Sequence, residues 1–324
     1  MEVLEDVVKS CYIHIPFCNK ICSYCDFCKV LYDKRFISKY LDSLEKEIDT
    51  LYKGEELETL YIGGGTPSSL SVEELEKLFI ILQKFKKKKI FEFSIECNFD
   101  SINFEKLLLF KKYGVNRLSF GLESTNQEIL KFLNRDFDRK HAINIVNEAR
   151  KLGFNNINID LMYALPNQSR EDWMESLEKV VKLNPTHISA YSLILEENTE
   201  LFKMYERDEF NLLDENTDIE MYEYTIDYLK SHGYNQYEIS NYAKDNFECK
   251  HNVLYWKCEE YVGIGASASG YFNGIRYNNI CELDNYEKMI LEGEKPIEWE
   301  EKLSIKDEIE ESIFLGLRMN EGIQ

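Results

Sequence analysis

Three cysteines, Cys18, Cys22 and Cys25, lie in one short segment with the spacing C-x3-C-x2-C. The segment follows an apolar, β-branched run that predicts a strand, so we expect the three thiols in the loop after that strand. Zinc commonly takes four ligands as two C-x2-C pairs, and a ferredoxin cluster uses C-x2-C-x2-C with a fourth cysteine. Three thiolates on one loop instead suit a [4Fe-4S] cube whose fourth iron is left open to a small molecule.

The composition of the 324-residue chain restricts its compartment and its partners. The 39 basic and 59 acidic residues give a formal net charge of -20, and no basic stripe counters it, so we expect no nucleic-acid partner. The N-terminal segment MEVLEDVVKS lacks the apolar core of a secretory signal, and no run of about 18 apolar residues could span a membrane. We therefore expect a cytoplasmic protein whose crowded cysteines bind metal or act in catalysis rather than form disulfides.

Short apolar runs alternate with longer amphipathic runs over roughly the first 200 residues. They predict six strands, each followed by a helix, at residues 11–17, 57–62, 91–97, 117–122, 157–163 and 187–194. Repeated βα units predict a parallel sheet, and right-handed crossovers curl six such units toward a partial or complete barrel. The pattern alone does not distinguish an open barrel from a doubly wound sheet.

The rhythm changes after residue 200, which predicts a core over residues 1–200 and a smaller α+β region over residues 201–324. In the second region we expect a long helix over 216–232, hairpins and loops over 234–277, and a helical tail over 304–318. The tail ends without a helix cap or breaker, so we expect the chain to be truncated within a small C-terminal domain.

Several segments, in chain order within residues 11–275, resemble one known family. They are YIHIPFCNKICSYCDF, YIGGGTPSSL, GVNRLSFGLES, INIDLMYALP, HISAYSLILEENT, and YEISNYAK followed by HNVLYW. Together they resemble the oxygen-independent coproporphyrinogen III oxidase-like group of the radical S-adenosylmethionine (SAM) superfamily. The resemblance implies an α/β fold, a (β/α)6 partial barrel, that binds a [4Fe-4S] cluster and SAM.

The resemblance also implies a role for each matching position. The cluster would be ligated by Cys18, Cys22 and Cys25, with Tyr12 beside it. SAM would be held by Gly64, Gly65 and Thr66 at its methionine end, by Glu96 and Arg135 at its amino and carboxylate groups, by Glu123, and by Asp160 at its ribose hydroxyls. Glycine is expected in this segment because a Cβ would keep the ligand away from the backbone. Independently of the family, ligand groups of parallel α/β folds gather at the carboxyl ends of the strands. For an isolated Glu96, Arg135 or Asp160, a structural ion pair is an equal alternative.

Some positions depart from the family pattern. Glu123 stands where glutamine is usual, Ala164 stands where glycine is usual, and Cys28 is a further thiol whose role is left open. The five remaining cysteines are scattered and are expected to be buried as small hydrophobic residues; they are Cys11, Cys97, Cys249, Cys258 and Cys281.

The resemblance implies that the reduced cluster gives an electron to the sulfonium of SAM, which yields methionine and a 5'-deoxyadenosyl radical. In the oxidases of the group, this radical starts the decarboxylation of two propionates of coproporphyrinogen III. Only 17 residues precede Cys18, too few for the N-terminal segment that helps build the substrate site of the oxidases. This difference favours the heme-chaperone branch of the group, with authentic oxidase activity as the alternative.

A second segment, HNVLYW at residues 251–256, matches the HNxxYW pattern associated with heme binding in that branch. An imidazole such as that of His251 can ligate heme iron, while Tyr255 and Trp256 would supply apolar surface for the porphyrin. The alternative is a histidine packed against an aromatic hairpin. We therefore expect a heme chaperone that binds the cluster, SAM and heme, and that hands heme to acceptor apo-proteins. Turnover of SAM, radical methylation of the ring, peripheral membrane association and a homodimer are left open.

Overall fold

A computed structural model of the protein describes residues 8–323, except for the side chain of Ile90. The acidic N-terminal segment considered above therefore lies, up to residue 7, outside the described residues. The strands are β1 (Ser10–Ile15), β2 (Phe17–Cys18), β3 (Val30–Leu31), β4 (Glu56–Gly64), β5 (Lys86–Asn98), β6 (Arg117–Glu123), β7 (Asn156–Tyr163), β8 (His187–Ser192), β9 (Asn235–Glu238), β10 (Asn241–Ala243), β11 (Val262–Ile264), β12 (Ser269–Phe272), β13 (Ile275–Asn279) and β14 (Ile297–Lys302).

The helices are α1 (Lys34–Leu51), α2 (Val72–Leu82), α3 (Phe104–Lys112), α4 (Gln127–Phe132), α5 (Arg139–Lys151), α6 (Arg170–Leu183), α7 (Glu200–Glu206), α8 (Glu215–Ser231), α9 (Lys250–Trp256), α10 (Leu283–Glu292) and α11 (Ile305–Gly316). A 3-10 turn, Pro67–Ser69, follows β4. None of the described helices combines the length and the apolar character needed to cross a membrane.

Six parallel strands, β1, β4, β5, β6, β7 and β8, lie side by side in the order of the chain. This confirms the predicted α/β fold. A doubly wound sheet reverses its strand order at a switch point, whereas the order here runs in one direction, as in a barrel. Successive helices contact one another, α1 with α2, α2 with α3, and α3 with α5. Right-handed crossovers in one direction place the helices on the same face of the sheet, so the opposite face is left for the site.

The C-terminal region extends this sheet at both edges. β11 pairs in parallel with β1, and β10 pairs antiparallel with β8 and with β9. β12, β13 and β14 form a separate antiparallel sheet. Strands from both sides of residue 200 share the nine-stranded sheet. The domain boundary at residue 200 stays a prediction.

Alternation along the strands separates the core from the site. In β6, Leu118 and Phe120 are buried in the apolar core, whereas Arg117, Ser119 and Glu123 line a polar cavity on the other face. Successive side chains of a strand point to opposite faces of the sheet, so one strand can serve both purposes. The same division recurs in β7, where isoleucines face the core and Asn158 and Asp160 face the cavity.

Helix boundaries follow local capping chemistry. Ser71 is the N-cap of α2: its hydroxyl accepts from the backbone N–H of Glu74, and the Glu74 carboxylate accepts from the Ser71 N–H. This reciprocal pair satisfies two backbone donors that the first turn of a helix leaves unpaired. Asn184, the C-cap of α6, is in the left-handed conformation and directly precedes Pro185. Both boundaries therefore lie at residues whose local chemistry favours the start or the end of a helix.

Two secondary-structure predictions are wrong. β5 begins at Lys86 rather than at residue 91, so the four consecutive lysines from Lys86 to Lys89 belong to the strand. The section 234–277 contains the hairpin of β12 and β13, with Asn273 and Gly274 both at positive φ in the turn, but also the helix α9. No side chain of its own caps α9, and the Glu92 carboxylate of β5 instead accepts from the N–H groups of Lys250 and His251. The cap comes from a residue distant in sequence, so local propensity could not indicate the helix.

Ala164→Gly is expected to raise the free energy of unfolding by about 1 kcal/mol. Ala164 follows β7 with a φ of 56°, in the left-handed region where a Cβ is unfavourable and where the family pattern has glycine. Urea denaturation of both proteins measures the difference. Ala149→Gly, inside α5, is the control and should lower stability by about 1 kcal/mol. A loss of stability in Ala164→Gly would mean that packing of the methyl group outweighs the backbone conformation.

Candidate functional site

A polar cavity of about 420 Å³ lies against the carboxyl-terminal parts of the parallel strands. Ten of the twelve residues predicted for the site line it: Cys18, Cys22, Cys25, Gly64, Gly65, Thr66, Glu96, Glu123, Arg135 and Asp160. Its volume falls within the range of sites for small molecules and cofactors. The structure thus brings together residues separated by up to 142 positions of sequence, while the role of each one stays a prediction.

The three cysteines form one wall of the cavity. Cys18 ends β2, whose short parallel pairing with β3 closes the base of the loop that carries Cys22 and Cys25. Cys18 is buried, and the other two are half-buried. Burial raises the pKa of Cys18 to about 11 and also raises the pKa of Cys25. Metal binding would therefore have to displace protons from these thiols.

The three cysteines are not arranged as the ligands of a single metal ion. Within residues 8–323, leaving aside the side chain of Ile90, no three His, Cys, Asp or Glu side chains are grouped as ligands of a single metal ion. In an iron-sulfur cube, each thiolate binds a different iron, so its cysteine sulfurs are farther apart than those around one ion. The loop therefore does not need to bring the three sulfurs together before a cluster binds.

The glycine segment packs closely against the first strand and the loop. Gly64 has a φ of 111°, and a Cβ there would lie 2.7 Å from the ring of His14. A Cβ on Gly65 would lie 2.7 Å from the carbonyl carbon of Pro16 and 3.0 Å from the Sγ of Cys18. Glycine is therefore required by the packing of the protein itself, which is a different reason from the expected approach of a ligand to the backbone.

Three carboxylates lie on the strand side of the cavity, those of the buried Glu123 and of the half-buried Glu96 and Asp160. Glu96 accepts from the hydroxyl of Tyr61 at 2.9 Å and from the N–H of Gly64 at 3.2 Å. Burial raises the pKa of Glu96 to about 7, and it also raises the pKa of Glu123 and of Asp160. Carboxylates held in this way favour a cationic ligand, because a positive charge would stabilise their ionised form.

Arg135 connects the cysteine wall with the acidic side. Its Nη1 donates to the Sγ of Cys22 at 3.3 Å and lies 3.7 Å from Oε1 of Glu123. Its Nη2 donates to Oδ1 of Asn98 at 2.6 Å and to the carbonyl of Gly121 at 2.8 Å. Its buried Nε has no hydrogen-bond partner in the described part of the chain. The positive charge of this guanidinium offsets part of the effect of burial on the pKa of Glu123.

Glu123 occupies an unusual backbone position. Its φ is 64°, and the register between β6 and β7 shifts between Gly121 and Glu123. The shift turns the side chain into the cavity, where the hydroxyl of Tyr191 donates to it at 2.9 Å. The carboxylate that replaces the usual glutamine is thus partnered by Tyr191 and by the guanidinium of Arg135.

As the pH rises from 4.5 to 7, the free energy of unfolding of Glu96→Gln is expected to fall less than that of the wild type. The pKa of Glu96 rises from an ordinary value of 4.5 to about 7 on folding, so the folded state binds more protons in this range. This contribution is fully present below pH 4.5 and is lost as the pH rises through 7. Urea denaturation at pH 5 and pH 7 measures the change. Glu105→Gln, at an exposed position, should retain the wild-type loss, and parallel curves for Glu96→Gln and the wild type would contradict the assignment.

Sequence reasoning missed several polar residues that line the cavity. They include Arg117, Ser119, Asn158, Ser189, Asn241 and Asn252. A signal was present in the strands, where these polar residues alternate with buried apolar ones, as in Arg117-Leu118-Ser119-Phe120. The last two residues come from the C-terminal region and carry no such alternation.

The two remaining predicted residues, Tyr12 and His251, do not line the cavity. The hydroxyl of Tyr12 lies 3.2 Å from Nδ1 of His14, and its ring stacks on Tyr61. His251 is only 1% exposed, and burial lowers its pKa to about 3. Its Nδ1 lies 2.8 Å from Oγ1 of Thr59, and its ring stacks on that of Tyr61.

The aromatic residues after His251 are packed as well. Nε2 of His251 lies 2.6 Å from the hydroxyl of Tyr255, and the guanidinium of Arg318 lies over the ring of Trp256. The segment forms the helix α9 rather than the hairpin of the alternative interpretation. Heme ligation by His251 stays a prediction, and in this conformation it requires the departure of Tyr255.

Cys28 and Cys281 form a disulfide, with Cα atoms 5.9 Å apart. The expectation that the cysteines avoid disulfides is therefore wrong for this pair. Cys281 is exposed and Cys258 is half-buried, so neither is the buried hydrophobic residue that was predicted. The other three cysteines of that group, Cys11, Cys97 and Cys249, are buried. A pairing across 253 residues cannot be deduced from the sequence.

Comparison with known proteins identifies the family. Residues 12–180 match the family model described as the Radical SAM superfamily, and this stretch contains the three cysteines, the glycine segment and the acidic residues of the cavity. The chain belongs to the radical SAM superfamily. Membership implies a [4Fe-4S] cluster and SAM as cofactors.

Within the superfamily, the chain belongs to the HemN-like group and is similar to proteins named heme chaperone HemW. The HemW of Lactococcus lactis subsp. lactis (strain IL1403) is 43% identical over 315 residues, which are 97% of this chain and 82% of that protein. The HemW of Bacillus subtilis (strain 168) is 40% identical over 321 residues, 98% of this chain and 85% of that protein. The solved structure of coproporphyrinogen III oxidase (HemN) from Escherichia coli, described as a radical SAM enzyme, matches with a TM-score of 0.87 at 26% identity and covers 97% of this chain and 76% of that one.

Proposed function

We propose that this protein is a heme chaperone, which binds a [4Fe-4S] cluster and SAM in the cavity and delivers heme to acceptor apo-proteins. The observation that carries the proposal is the match to proteins named heme chaperone HemW over nearly the whole chain. A cytoplasmic location, peripheral membrane association and a homodimer stay predictions.

The residues of the cavity fit the two cofactors. Cys18, Cys22 and Cys25 would hold the cluster, which when bound supplies one electron for the reductive cleavage of SAM. SAM carries a sulfonium and an ammonium group, and the carboxylates on the strand side of the cavity match these positive charges. Glu96 and the neighbouring backbone of Gly64 would orient the ammonium group, and Arg135 would pair with the carboxylate. Removal of water from the cavity strengthens each of these interactions.

The second candidate is an oxygen-independent coproporphyrinogen III oxidase. The structural likeness to HemN over 97% of the chain favours it. The core fold and the cavity would serve either function, so the two candidates differ in what happens to the porphyrin. A chaperone binds heme and releases it unchanged, whereas the oxidase converts coproporphyrinogen III to protoporphyrinogen IX with loss of two carboxyl groups as carbon dioxide.

Titration of the anaerobically purified protein with heme tests the proposal that it is a heme chaperone. The wild type is expected to change the Soret band of heme, and His251→Ala is expected to weaken binding. A wild type that binds no heme contradicts the proposal. Stoichiometric formation of protoporphyrinogen IX from coproporphyrinogen III, in the presence of SAM and a low-potential reductant, would establish the oxidase instead.

A second variant separates ligation by His251 from a purely structural role of that residue. Tyr255→Phe removes the hydroxyl next to Nε2 of His251 and retains the aromatic ring. If Nε2 ligates the heme iron, Tyr255→Phe should bind heme more tightly than the wild type, because one competing hydrogen bond is lost. Tyr261→Phe, whose ring packs on Tyr255, is the matched control and should bind as the wild type does. Weaker heme binding by Tyr255→Phe would contradict ligation through Nε2.

A further inference from the structure

The disulfide between Cys28 and Cys281 joins the cysteine loop to the C-terminal region. Cys28 follows Cys25 by three residues, and Cys281 lies between β13 and α10. Cys28 is not among the residues that line the cavity. The bridge therefore involves sulfurs other than the three assigned to the cluster, and nothing in the proposed function uses it.

The Cys281 end of the bridge is anchored to the helical layer. Asn279 and Tyr286, on either side of Cys281, both donate to the buried carboxylate of Glu47, at 2.7 and 2.5 Å. Glu47 belongs to α1, which also contacts α10. Because side chains on both sides of Cys281 donate to one buried carboxylate, the segment that carries Cys281 is anchored to α1.

The Cys28 end belongs to the loop around the third cysteine of the cavity wall. The carbonyl of Cys28 accepts from Nε2 of His14 at 2.9 Å, and Lys29 donates through its ammonium group to the carbonyl of Cys25. The ring of His14 in turn packs against Gly64, the last residue of β4. The bridge thus ties the backbone next to Cys25 and the glycine segment to an anchored point of the C-terminal region.

The bridge is accessible to soluble thiols, because Cys281 is exposed and Cys28 is half-buried. Exposed disulfides exchange readily with thiols and are the labile, regulatory kind. We propose that Cys28 and Cys281 form a reversible dithiol-disulfide pair, and that closing the bridge holds the cysteine loop in the conformation seen here. The first part is independent of the proposed function, whereas the importance of the second part rests on the cluster site proposed above.

The chemistry is thiol-disulfide exchange. One thiolate of the pair attacks a small-molecule disulfide, such as oxidised glutathione, which forms a mixed disulfide and releases one glutathione thiolate. The second thiolate attacks the mixed disulfide, closes the Cys28–Cys281 bond and releases the second glutathione. The two cysteines lose two electrons and two protons in total, and one glutathione disulfide is reduced to two thiols. A dithiol reductant reverses the reaction.

Thiol counting on the full-length protein, freed of iron and handled without oxygen, tests the pairing. After reduction, alkylation and mass measurement, all nine cysteines should be modified. After treatment with oxidised glutathione, seven should be modified, and peptide mapping should recover a linked pair containing Cys28 and Cys281. Cys28→Ser and Cys281→Ser should each form no linked pair, whereas Cys258→Ser, at a half-buried cysteine outside the bridge, should form it. Oxidation confined to Cys18, Cys22 or Cys25 would overturn the proposal.

Hydrogen-deuterium exchange tests the effect on the loop. Residues 18–31 of the oxidised protein should exchange about tenfold more slowly than those of the reduced protein, because the bridge suppresses local opening. The difference should vanish in Cys281→Ser and persist in Cys258→Ser. Equal exchange in the oxidised and reduced wild type would overturn the second part of the proposal. A chain that shows both effects and binds no heme would contradict the proposed function alone.

Discussion

Replacing Cys22 with alanine is expected to abolish iron retention and the formation of 5'-deoxyadenosine from SAM. Cys22 is one of three thiols on the cavity wall, and its sulfur accepts a hydrogen bond from Arg135. The variant would lack one of the three thiolates that hold the cluster. Anaerobic reconstitution with iron and sulfide, followed by measurement of bound iron and of 5'-deoxyadenosine with a low-potential reductant, tests the expectation.

Cys258→Ala is the matched control for Cys22→Ala, because both positions are half-buried and neither forms the disulfide. It should retain iron and SAM cleavage at the wild-type level. Wild-type iron content and product formation in Cys22→Ala would show that the cluster is bound elsewhere. Loss of both in the two variants alike would indicate a general effect of removing a thiol rather than a ligand role.

Arg135→Ala is expected to lower the free energy of unfolding by about 3 kcal/mol, the lower end of the cost of breaking a buried ion pair. Arg135 is 9% exposed, and its guanidinium is the cation beside the buried carboxylate of Glu123. Its removal also leaves Asn98 and the carbonyl of Gly121 without their donor. Urea denaturation of the iron-free protein measures the loss.

Two further variants identify the cause of the Arg135→Ala effect. Arg139→Ala, at an exposed position of α5, should change stability by no more than about 0.5 kcal/mol. Adding Glu123→Gln to Arg135→Ala should recover about 1 to 2 kcal/mol, because the neutral amide removes the buried charge that has lost its partner. If the double variant is less stable than Arg135→Ala, the ion pair with Glu123 is not the main contribution of Arg135.

The sequence carried enough information for the sheet and for most of the cavity. Short apolar runs marked each parallel strand, and side chains at the carboxyl ends of parallel strands meet at one edge of the sheet. Gly64, Glu96 and Glu123, near the ends of β4, β5 and β6, were therefore expected to lie together, and they do. The apolar run before Cys18 predicted a strand, and this located the three thiols after β1.

Features that depend on distant contacts were not accessible from the sequence. α9 is capped by Glu92, which lies 158 residues before Lys250. The buried ring of His251 is hydrogen-bonded to the side chain of Thr59, which is also distant in sequence. The partner of Cys28 is 253 residues away. The motif HNVLYW indicated a heme ligand on the basis of residue types alone, whereas burial and the hydrogen bonds of His251 are properties of the folded chain.

The position of α9 has a consequence for how the protein is made. Strands β1 to β8 end at Ser192, but Asn252 of α9 completes the lining of the cavity, and His251 bonds back to the side chain of Thr59. On the ribosome, the first six βα units emerge well before this helix has been synthesised. During that interval the carboxylate of Glu92 has none of its α9 partners. The lining of the cavity is therefore completed late in translation. Cofactors can enter the completed cavity only after synthesis has passed Trp256, the last residue of α9.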